Sequence, residues 1–251
     1  MTSSTPVGII AGTGFYSIDE LTNPQPQTVS TPFGEAAVTT GDWQGVPVVF
    51  LTRHGAGHSV PPHLVNYRAN VWALKLLGCV DVFAINVTGG IETDLTPGSL
   101  VCLSDFLDFT KNRIPTFYDG STPEGVVHVD VLEAYHPELR KEILSAAASV
   151  NESIRDGGVY ACFEGPRFES PAEIRMAAML GGSVAGMTGV PEVTLAVEAK
   201  MRYAAISLVV NPAAGLSEEA ITMEDVNRVL TESSVSVVNI LRQVIKNRAA
   251  A

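Results

Sequence analysis

Four short segments combine glycine with hydrogen-bond donors: Gly-Thr-Gly at 12–14, Arg-His-Gly at 53–55, Asn-Val-Thr-Gly-Gly at 86–90 and Met-Thr-Gly at 187–189. Each follows a short β-rich run, and ligands of α/β proteins gather at the carboxyl ends of strands. Hydroxyls, backbone N–H groups and a guanidinium are the donors that an oxyanion requires. Thr188 also precedes a predicted helix, whose N-terminus favours negative charge. Together the segments predict an anion site.

The same segments also have ordinary structural explanations. Gly-Thr-Gly is common at turns, and a dinucleotide fingerprint would need another glycine after Gly14. The alternative for Arg53 is a surface ion pair, the usual environment of an arginine. His54, His58 and His63 have no cysteine pairs nearby, which a structural zinc site typically includes, so we expect no metal.

The elements that must position these segments alternate between strands and helices. This alternation predicts an α/β fold, a single domain over residues 1–251 with a central mixed β-sheet surrounded by helices. A polar segment at 110–125, with Gly and Pro, is predicted to be a long functional loop. Strands are predicted at 7–11, 37–40, 46–52, 82–85, 100–107, 159–162, 184–187 and 204–210, the last stopped by Asn211-Pro212, and helices at 64–77, 137–150, 171–180, 191–200 and from 222 onward.

Composition limits the possible partners. The chain has 16 basic and 27 acidic side chains, a formal net charge of -11, which repels nucleic acids and anionic membranes. Its apolar runs are far shorter than the roughly 20 residues that cross a bilayer, and residues 1–6 do not resemble a secretory signal. We therefore expect a cytoplasmic protein whose partner is a small substrate or another protein. Cys79, Cys102 and Cys162 lie in apolar surroundings and are predicted to be buried free thiols.

Longer stretches connect the chain to a known family. Val-Asn-Tyr-Arg-Ala-Asn at 65–70, Glu-Gly-Pro-Arg-Phe-Glu at 164–169 and Gly-Met-Thr-Gly-Val-Pro-Glu at 186–192 occur in order with the motifs at 12–14 and 53–55. With them, the chain resembles the trimeric purine nucleoside phosphorylase and methylthioadenosine phosphorylase family over nearly its whole length. Several of the motifs are similar to the methylthioadenosine branch. The resemblance implies the nucleoside phosphorylase fold, a homotrimer, and inorganic phosphate as co-substrate with no cofactor.

The resemblance also assigns a phosphate and sugar site. It implies that Thr13, Arg53, His54 and Thr188 hold phosphate, with Asn86 at the boundary between phosphate and ribose. Met187 would lie against the sugar and Phe168 would pack on the purine. The alternative for Met187 and Phe168 is ordinary core packing.

Base recognition departs from the adenine-specific branch. Relatives that take 6-aminopurines are expected to carry an aspartate where this chain has Asn211, whereas 6-oxopurine enzymes carry a glutamate and an asparagine, here Glu169 and Asn211. The N1–H of a 6-oxopurine can donate to a carboxylate, but adenine N1 is an acceptor that would face it unsatisfied. The pair therefore points to hypoxanthine or guanine. The alternative for Glu169 is a solvated charge at a helix start.

The sugar's 5′ end would meet the start of the last helix. Met223 and Val226 align there, with His58 near them, and a thioether beside a valine favours an apolar 5′ group such as methylthio. His128 aligns with a residue that relatives insert from the neighbouring subunit, so the trimer would complete the site.

These assignments predict phosphorolysis of S-methyl-5′-thioinosine, inosine or guanosine. Cleaving the N-glycosidic bond builds positive charge on the sugar and negative charge on the base. Phosphate would be the nucleophile, and the residues implied to be catalytic are Asn211, Glu169 and His54. The alternatives are a hydrolytic nucleosidase, an adenine-specific methylthioadenosine phosphorylase and a non-catalytic purine-binding module.

Overall fold

A computed structural model of the protein describes residues 5–15, 18, 20–55, 57, 59–120, 122–218 and 220–250. The strands are β1 (Val7–Ala11), β2 (Thr22–Thr31), β3 (Gly34–Trp43), β4 (Val46–Thr52), β5 (Asp81–Gly90), β6 (Leu100–Cys102), β7 (Asp105–Phe109), β8 (Arg155–Asp156), β9 (Val159–Phe163), β10 (Val184–Gly186) and β11 (Arg202–Pro212). The helices are α1 (Tyr67–Leu76), α2 (Pro137–Ser149), α3 (Pro171–Met179), α4 (Glu192–Glu198) and α5 (Met223–Ala249), with a 3-10 helix at Pro62–Leu64.

The described strands form one mixed sheet. Its main path runs β2-β3-β4-β1-β5-β10-β9-β7, and β11 pairs with β5 and β6, which in turn pairs with β8. β1 is parallel to β4 and β5, and β5 is parallel to β11, whereas β3 is antiparallel to both β2 and β4. The prediction of an α/β fold with a central mixed sheet surrounded by helices is therefore confirmed.

The sheet has a separate core on each face because neighbouring strand residues point to opposite sides. Ile10 and Val82 pack with α1 and α4 on one face, while Ile9 and Phe83 pack with α2 and α5 on the other. Both faces are covered by helices, so the central strands are apolar along nearly their whole length. No helix in the described ranges combines the length and apolar character needed to cross a bilayer.

β5 is the strand where the sheet branches. At its start Asp81 pairs with both β1 and β11, and at its end Gly89 and Gly90 pair with both β10 and β11. A Cβ on Gly90 would lie 2.3 Å from the carbonyl oxygen of Leu95, so only glycine fits at this crossing. The strand predicted at 82–85 therefore extends through the polar residues at 86–90.

The other differences concern polar or irregular strands. β2 was not predicted because it is polar, exposed and contains Pro24 and Pro26, and it pairs with β3 alone, as expected of a proline-bearing edge strand. The predicted strand at 100–107 divides into β6 and β7, and β11 continues through Asn211 to Pro212 instead of stopping before them. The described residues between 110 and 125 form no helix or strand, as predicted, and all three cysteines are buried and free.

Candidate active site

A cavity of about 390 Å³ opens at the carboxyl ends of β1, β4, β5, β10 and β11. Its size is within the usual range for sites that bind small molecules, roughly 300–1,000 Å³. The sequence analysis placed ligand contacts at these strand ends, and the structure brings most of the named residues together there. The predicted site residues that line the cavity are Thr13, Arg53, His54, Phe168, Glu169, Met187, Thr188, Asn211, Met223 and Val226.

Two of the predicted site residues that the structure describes are not in the cavity wall. Asn86 is buried behind it, where its Oδ1 accepts a 3.4 Å hydrogen bond from Thr188 Oγ1 and its Nδ2 has no partner among the described residues. His128 is exposed and outside the cavity of its own chain. His58 lies outside the described residues, so the prediction about it stays a prediction.

Arg53 is buried and does not form the surface ion pair that was its alternative. Its Nε and Nη2 donate to the two carboxylate oxygens of Glu192 at 2.6 and 2.7 Å, and its Nη1 donates to Ile85 O at 2.6 Å. A guanidinium has five N–H groups, so two remain without an acceptor among the described residues. Burial alone would lower the pKa of Arg53, but the charge and hydrogen bonds of Glu192 raise it. The side chain is thus a fixed cation in the cavity wall.

Glu192 is a residue of the site that the sequence analysis did not assign. It also accepts a 2.7 Å hydrogen bond from the hydroxyl of Tyr203, so a buried network backs the guanidinium. The available signal was its place at the end of the matching stretch at 186–192, but its partner is 139 positions away in the sequence. The ion pair between Arg53 and Glu192 could therefore be identified only from the three-dimensional structure.

The anion donors near Thr188 differ from the prediction. α4 begins at Glu192, and the backbone N–H groups of Thr188 and Gly189 donate to the hydroxyl of Tyr160 at 3.1 and 3.3 Å. The expected helix N-terminus is therefore not directed at a ligand, and Thr188 contributes its side chain instead. Tyr160 also leaves no room for a side chain at position 186, because a Cβ on Gly186 would lie 2.2 Å from the hydroxyl oxygen of Tyr160.

His54 is held in one orientation beside Arg53. Its Nδ1 lies 2.8 Å from the carbonyl oxygen of Val60, which can only accept, so Nδ1 is the donor. A Cβ on Gly12 would come within 3.3 Å of Arg53 Nη1 and 3.7 Å of His54 Nε2, so the absent side chain lets both approach β1. No group of three or more metal-ligating side chains occurs in the ranges that the structure describes.

The cavity is also lined by a buried carboxylate that has one unpaired oxygen. Glu169 is buried, its Oε1 has no partner within the described part of the chain, and burial raises the pKa of its carboxyl group. The segment that presents it is braced by Arg167, which donates twice to Glu173 at 2.8 Å, while Ser170 caps α3. A buried acceptor without a donor is costly, so this oxygen is suited to a ligand that donates.

A β-bulge turns Asn211 toward the cavity. In the pairing of β11 with β5, Val209 lies opposite Thr88 and Asn211 opposite Gly89, so Val210 is an extra residue. A bulge of this kind changes the direction of the side chains that follow it. As a result, the consecutive residues Val210 and Asn211 both line the cavity. The Nδ2 of Asn211 donates one hydrogen bond to Pro212 O at 2.6 Å, which leaves its second N–H.

The mouth of the cavity is apolar. Met223 and Val226 belong to the first turn of α5, which Thr222 begins by accepting a hydrogen bond from Asp225 N–H. Met223 is 54% exposed, and Pro61 and Pro62 contribute further apolar lining. The cavity wall thus combines polar donors, a buried carboxylate and apolar side chains.

Comparison with known proteins identifies the family that has this arrangement. Residues 6–246 match the family described as Phosphorylase superfamily. Because the match covers nearly the whole chain, the protein belongs to this superfamily.

Three relatives are all named phosphorylases, and each match covers most of both chains. A probable 6-oxopurine nucleoside phosphorylase of Dictyoglomus turgidum is 46% identical, covering 95% of this chain and 90% of the relative. A probable S-methyl-5′-thioinosine phosphorylase of Methanothermobacter thermautotrophicus is 44% identical, covering 96% and 84%. Among solved structures, methylthioadenosine phosphorylase from Schistosoma mansoni in complex with adenine is 34% identical with a TM-score of 0.92, covering 98% and 93%.

Proposed function

We propose that this protein cleaves 6-oxopurine nucleosides with inorganic phosphate, releasing the purine and ribose 1-phosphate or its 5-methylthio analogue. The observation that carries the proposal is the buried carboxylate of Glu169, whose Oε1 has no partner among the described residues and which shares one cavity with Asn211 and with the donors Arg53 and Thr188. Two of the relatives described above are named for 6-oxopurine nucleosides or S-methyl-5′-thioinosine. Both lines support the same chemistry.

Phosphate would bind at the donor end of the cavity. The hydroxyls of Thr13 and Thr188, the remaining N–H groups of Arg53 and the imidazole of His54 are the groups available to hold it. Asn86, hydrogen-bonded to Thr188, would align that hydroxyl. Bound there, a phosphate oxygen attacks C1′ of the sugar, and the phosphate charge stabilises the cationic sugar of the transition state.

The leaving base needs stabilisation at the other end. As the bond from C1′ to the purine breaks, its electron pair moves onto the base, and N7 becomes a stronger acceptor. The free N–H of Asn211 would donate to N7 while Glu169 accepts the N1–H of the ring. Phe168 would pack on the purine and Met187 against the ribose. No protein nucleophile is needed and no cofactor takes part, because phosphate itself is the co-substrate.

The nature of the 5′ group follows from the mouth of the cavity. Met223 and Val226 present a thioether and an aliphatic side chain, which favour a methylthio group over a hydroxyl. S-methyl-5′-thioinosine is therefore the preferred substrate, with inosine and guanosine accepted less well. His58 is likewise proposed to lie near this 5′ group.

An adenine-specific methylthioadenosine phosphorylase is the second candidate. The solved relative bound to adenine favours it, since its fold overlays nearly the whole chain. Glu169 argues against the adenine-specific enzyme, because adenine N1 would face an ionised carboxylate with no proton between them. A hydrolytic nucleosidase and a non-catalytic purine-binding module remain as further alternatives.

Assembly and location complete the proposal. We infer a cytoplasmic homotrimer in which His128 reaches the site of a neighbouring subunit. Val126 and Leu132, on either side of His128, are highly exposed in the single chain, and apolar side chains of this kind are usually covered by a partner. Light scattering of the purified protein tests the trimer.

The deciding experiment measures base release from methylthioinosine, inosine, guanosine and methylthioadenosine, with and without phosphate. We expect release only with phosphate, and a higher kcat/KM for methylthioinosine than for methylthioadenosine. Release without phosphate would establish the nucleosidase, and preference for methylthioadenosine would establish the adenine-specific enzyme. Purine binding without turnover of any substrate would establish the binding module.

A further inference from the structure

Arg113 is a buried cation in the long segment between β7 and α2, outside the cavity wall. Its side chain is 2% exposed, although the surrounding residues of the segment are largely polar. Unlike Arg53, it is directed mainly at backbone carbonyl groups. The positions of those carbonyl groups in the chain indicate what Arg113 does.

One set of carbonyls lies on the base side of the cavity. Nη2 of Arg113 donates to Phe163 O at 3.2 Å and to Glu164 O at 2.8 Å. Phe163 ends β9, and Glu164 follows it at the start of the segment that carries Phe168 and Glu169.

A second set lies on the phosphate side. Nη2 of Arg113 also donates to Met187 O at 2.6 Å, and Nη1 donates to Val190 O. Met187 lines the cavity, and the two carbonyls flank Thr188 in the sequence. One planar guanidinium therefore joins two segments whose residues line the cavity.

The orientation of the guanidinium is itself fixed. It lies over the ring of Tyr67 at 5.1 Å, donates to the Tyr67 hydroxyl at 3.1 Å, and its Nε is 3.8 Å from the carboxylate of Glu164. The Tyr67 hydroxyl in turn donates to Pro62 O at 2.9 Å, and Pro62 also lines the cavity. A third part of the wall is thereby tied to the same side chain.

We propose that Arg113 is a positioning residue for phosphorolysis, which sets the separation between bound phosphate and bound nucleoside without touching either. This inference rests on the proposed function. Reacting atoms must approach to about 3–3.5 Å, and a misplacement of about 1 Å can cost on the order of 100-fold in rate. A guanidinium that joins both segments supplies this constraint, and a lysine ammonium with three donors cannot reproduce its planar geometry.

The test compares Arg113→Lys with Arg140→Lys. Arg140 is a matched control because it also donates to a carbonyl, Leu103 O at 2.9 Å, and pairs with Asp156, yet none of these residues lines the cavity. We expect Arg113→Lys to lower kcat about 100-fold while the KM values for phosphate and nucleoside change less than about 3-fold. Arg140→Lys should leave kcat within about 2-fold of wild type. Thermal unfolding of both variants monitors the fold.

An Arg113→Ala variant adds a second measurement. Guanidinium ion at millimolar concentration, compared with sodium at equal ionic strength, should restore part of its kcat. An unchanged kcat in Arg113→Lys, a loss carried equally by the KM values, or no difference between guanidinium and sodium would overturn the inference. A wild-type protein that never releases base would reject the proposed function, and the inference with it.

Discussion

The guanidinium of Arg53 and the carboxylate of Glu192 form a two-bond ion pair whose side chains are 0% and 1% exposed. Such a pair is favourable only when further hydrogen bonds support both charges, and Ile85 O and the Tyr203 hydroxyl each supply one here. A cation suited to phosphate is thus kept inside the protein with its charge already balanced. Removing either partner would leave the other uncompensated.

The first prediction concerns Glu192→Gln. Glutamine keeps the shape but loses the charge, so we expect the free energy of unfolding to fall by about 3–5 kcal/mol, as when a buried pair is broken. Glu92→Gln is the control, because Glu92 pairs with Arg155 at 2.7 Å on the surface, where the side chains are 35% and 37% exposed, and should cost under about 1 kcal/mol. Urea titrations measure both, and equal losses would contradict the prediction.

The second prediction concerns Tyr160→Phe. Phenylalanine keeps the ring under Gly186 but removes the acceptor for the N–H groups of Thr188 and Gly189. Leaving these donors unpaired costs about 1–3 kcal/mol and lets the Thr188 segment shift. We expect the KM for phosphate to rise about 5–10-fold, with the KM for nucleoside nearly constant. Steady-state kinetics test this, and a KM change confined to the nucleoside would argue against it.

The third prediction concerns Asn211→Ala. The bond from the amide to N7 strengthens as the base leaves, so its loss should lower kcat about 100–1,000-fold and change KM little. Single-turnover rates with inosine separate this effect from product release. Parallel losses in kcat and in ground-state binding would assign Asn211 to binding alone.

The fourth prediction concerns the pH dependence set by Glu169. Burial raises the pKa of this carboxyl group, and the ionised form accepts the purine N1–H more strongly than the protonated form does. As pH falls through the raised pKa, the carboxylate is protonated, so kcat/KM for inosine should decline at a pH above the usual glutamate value of about 4.3. The measurement is kcat/KM for inosine from pH 4 to 8, on the order of half-unit steps.

Glu169→Gln is the matched variant for that profile. A neutral amide still accepts a hydrogen bond, but it lacks the charge, so kcat/KM for inosine at neutral pH should fall about 10–100-fold. The acidic decline should disappear, and the preference for inosine over adenosine should narrow, because the amide N–H can donate to adenine N1. An acidic decline that persists in this variant would assign it to another group.

The parts of the fold that could be predicted from the sequence are those with strong apolar patterns. β1, β4 and the core of β11 are continuous apolar runs buried on both faces, and α5 carries its apolar residues at helical spacing. The edge strand β2 lacks such a pattern. Its conformation depends on pairing with β3, which no local signal reports.

The candidate site, like the fold, could be predicted only in part from the sequence. Residues in glycine-bearing motifs, such as Thr13 and Thr188, could be located because the motif marks a strand end. The contacts of Arg113 and the partner of Arg53 depend on segments far apart in the chain, 74 residues from Arg113 to Met187 and 139 from Arg53 to Glu192. The bulge at Val210, which directs Asn211, likewise exists only in the register with β5.

The three cysteines have a practical consequence. Burial raises the pKa of Cys79 and Cys162 to about 12 and that of Cys102 to about 11, so at neutral pH each thiol keeps its proton. Alkylating reagents attack the thiolate, and they can therefore modify these side chains only after the surrounding sheet opens. The rate of alkylation would report how often the native molecule opens, and a purine or phosphate that closes the cavity should slow it.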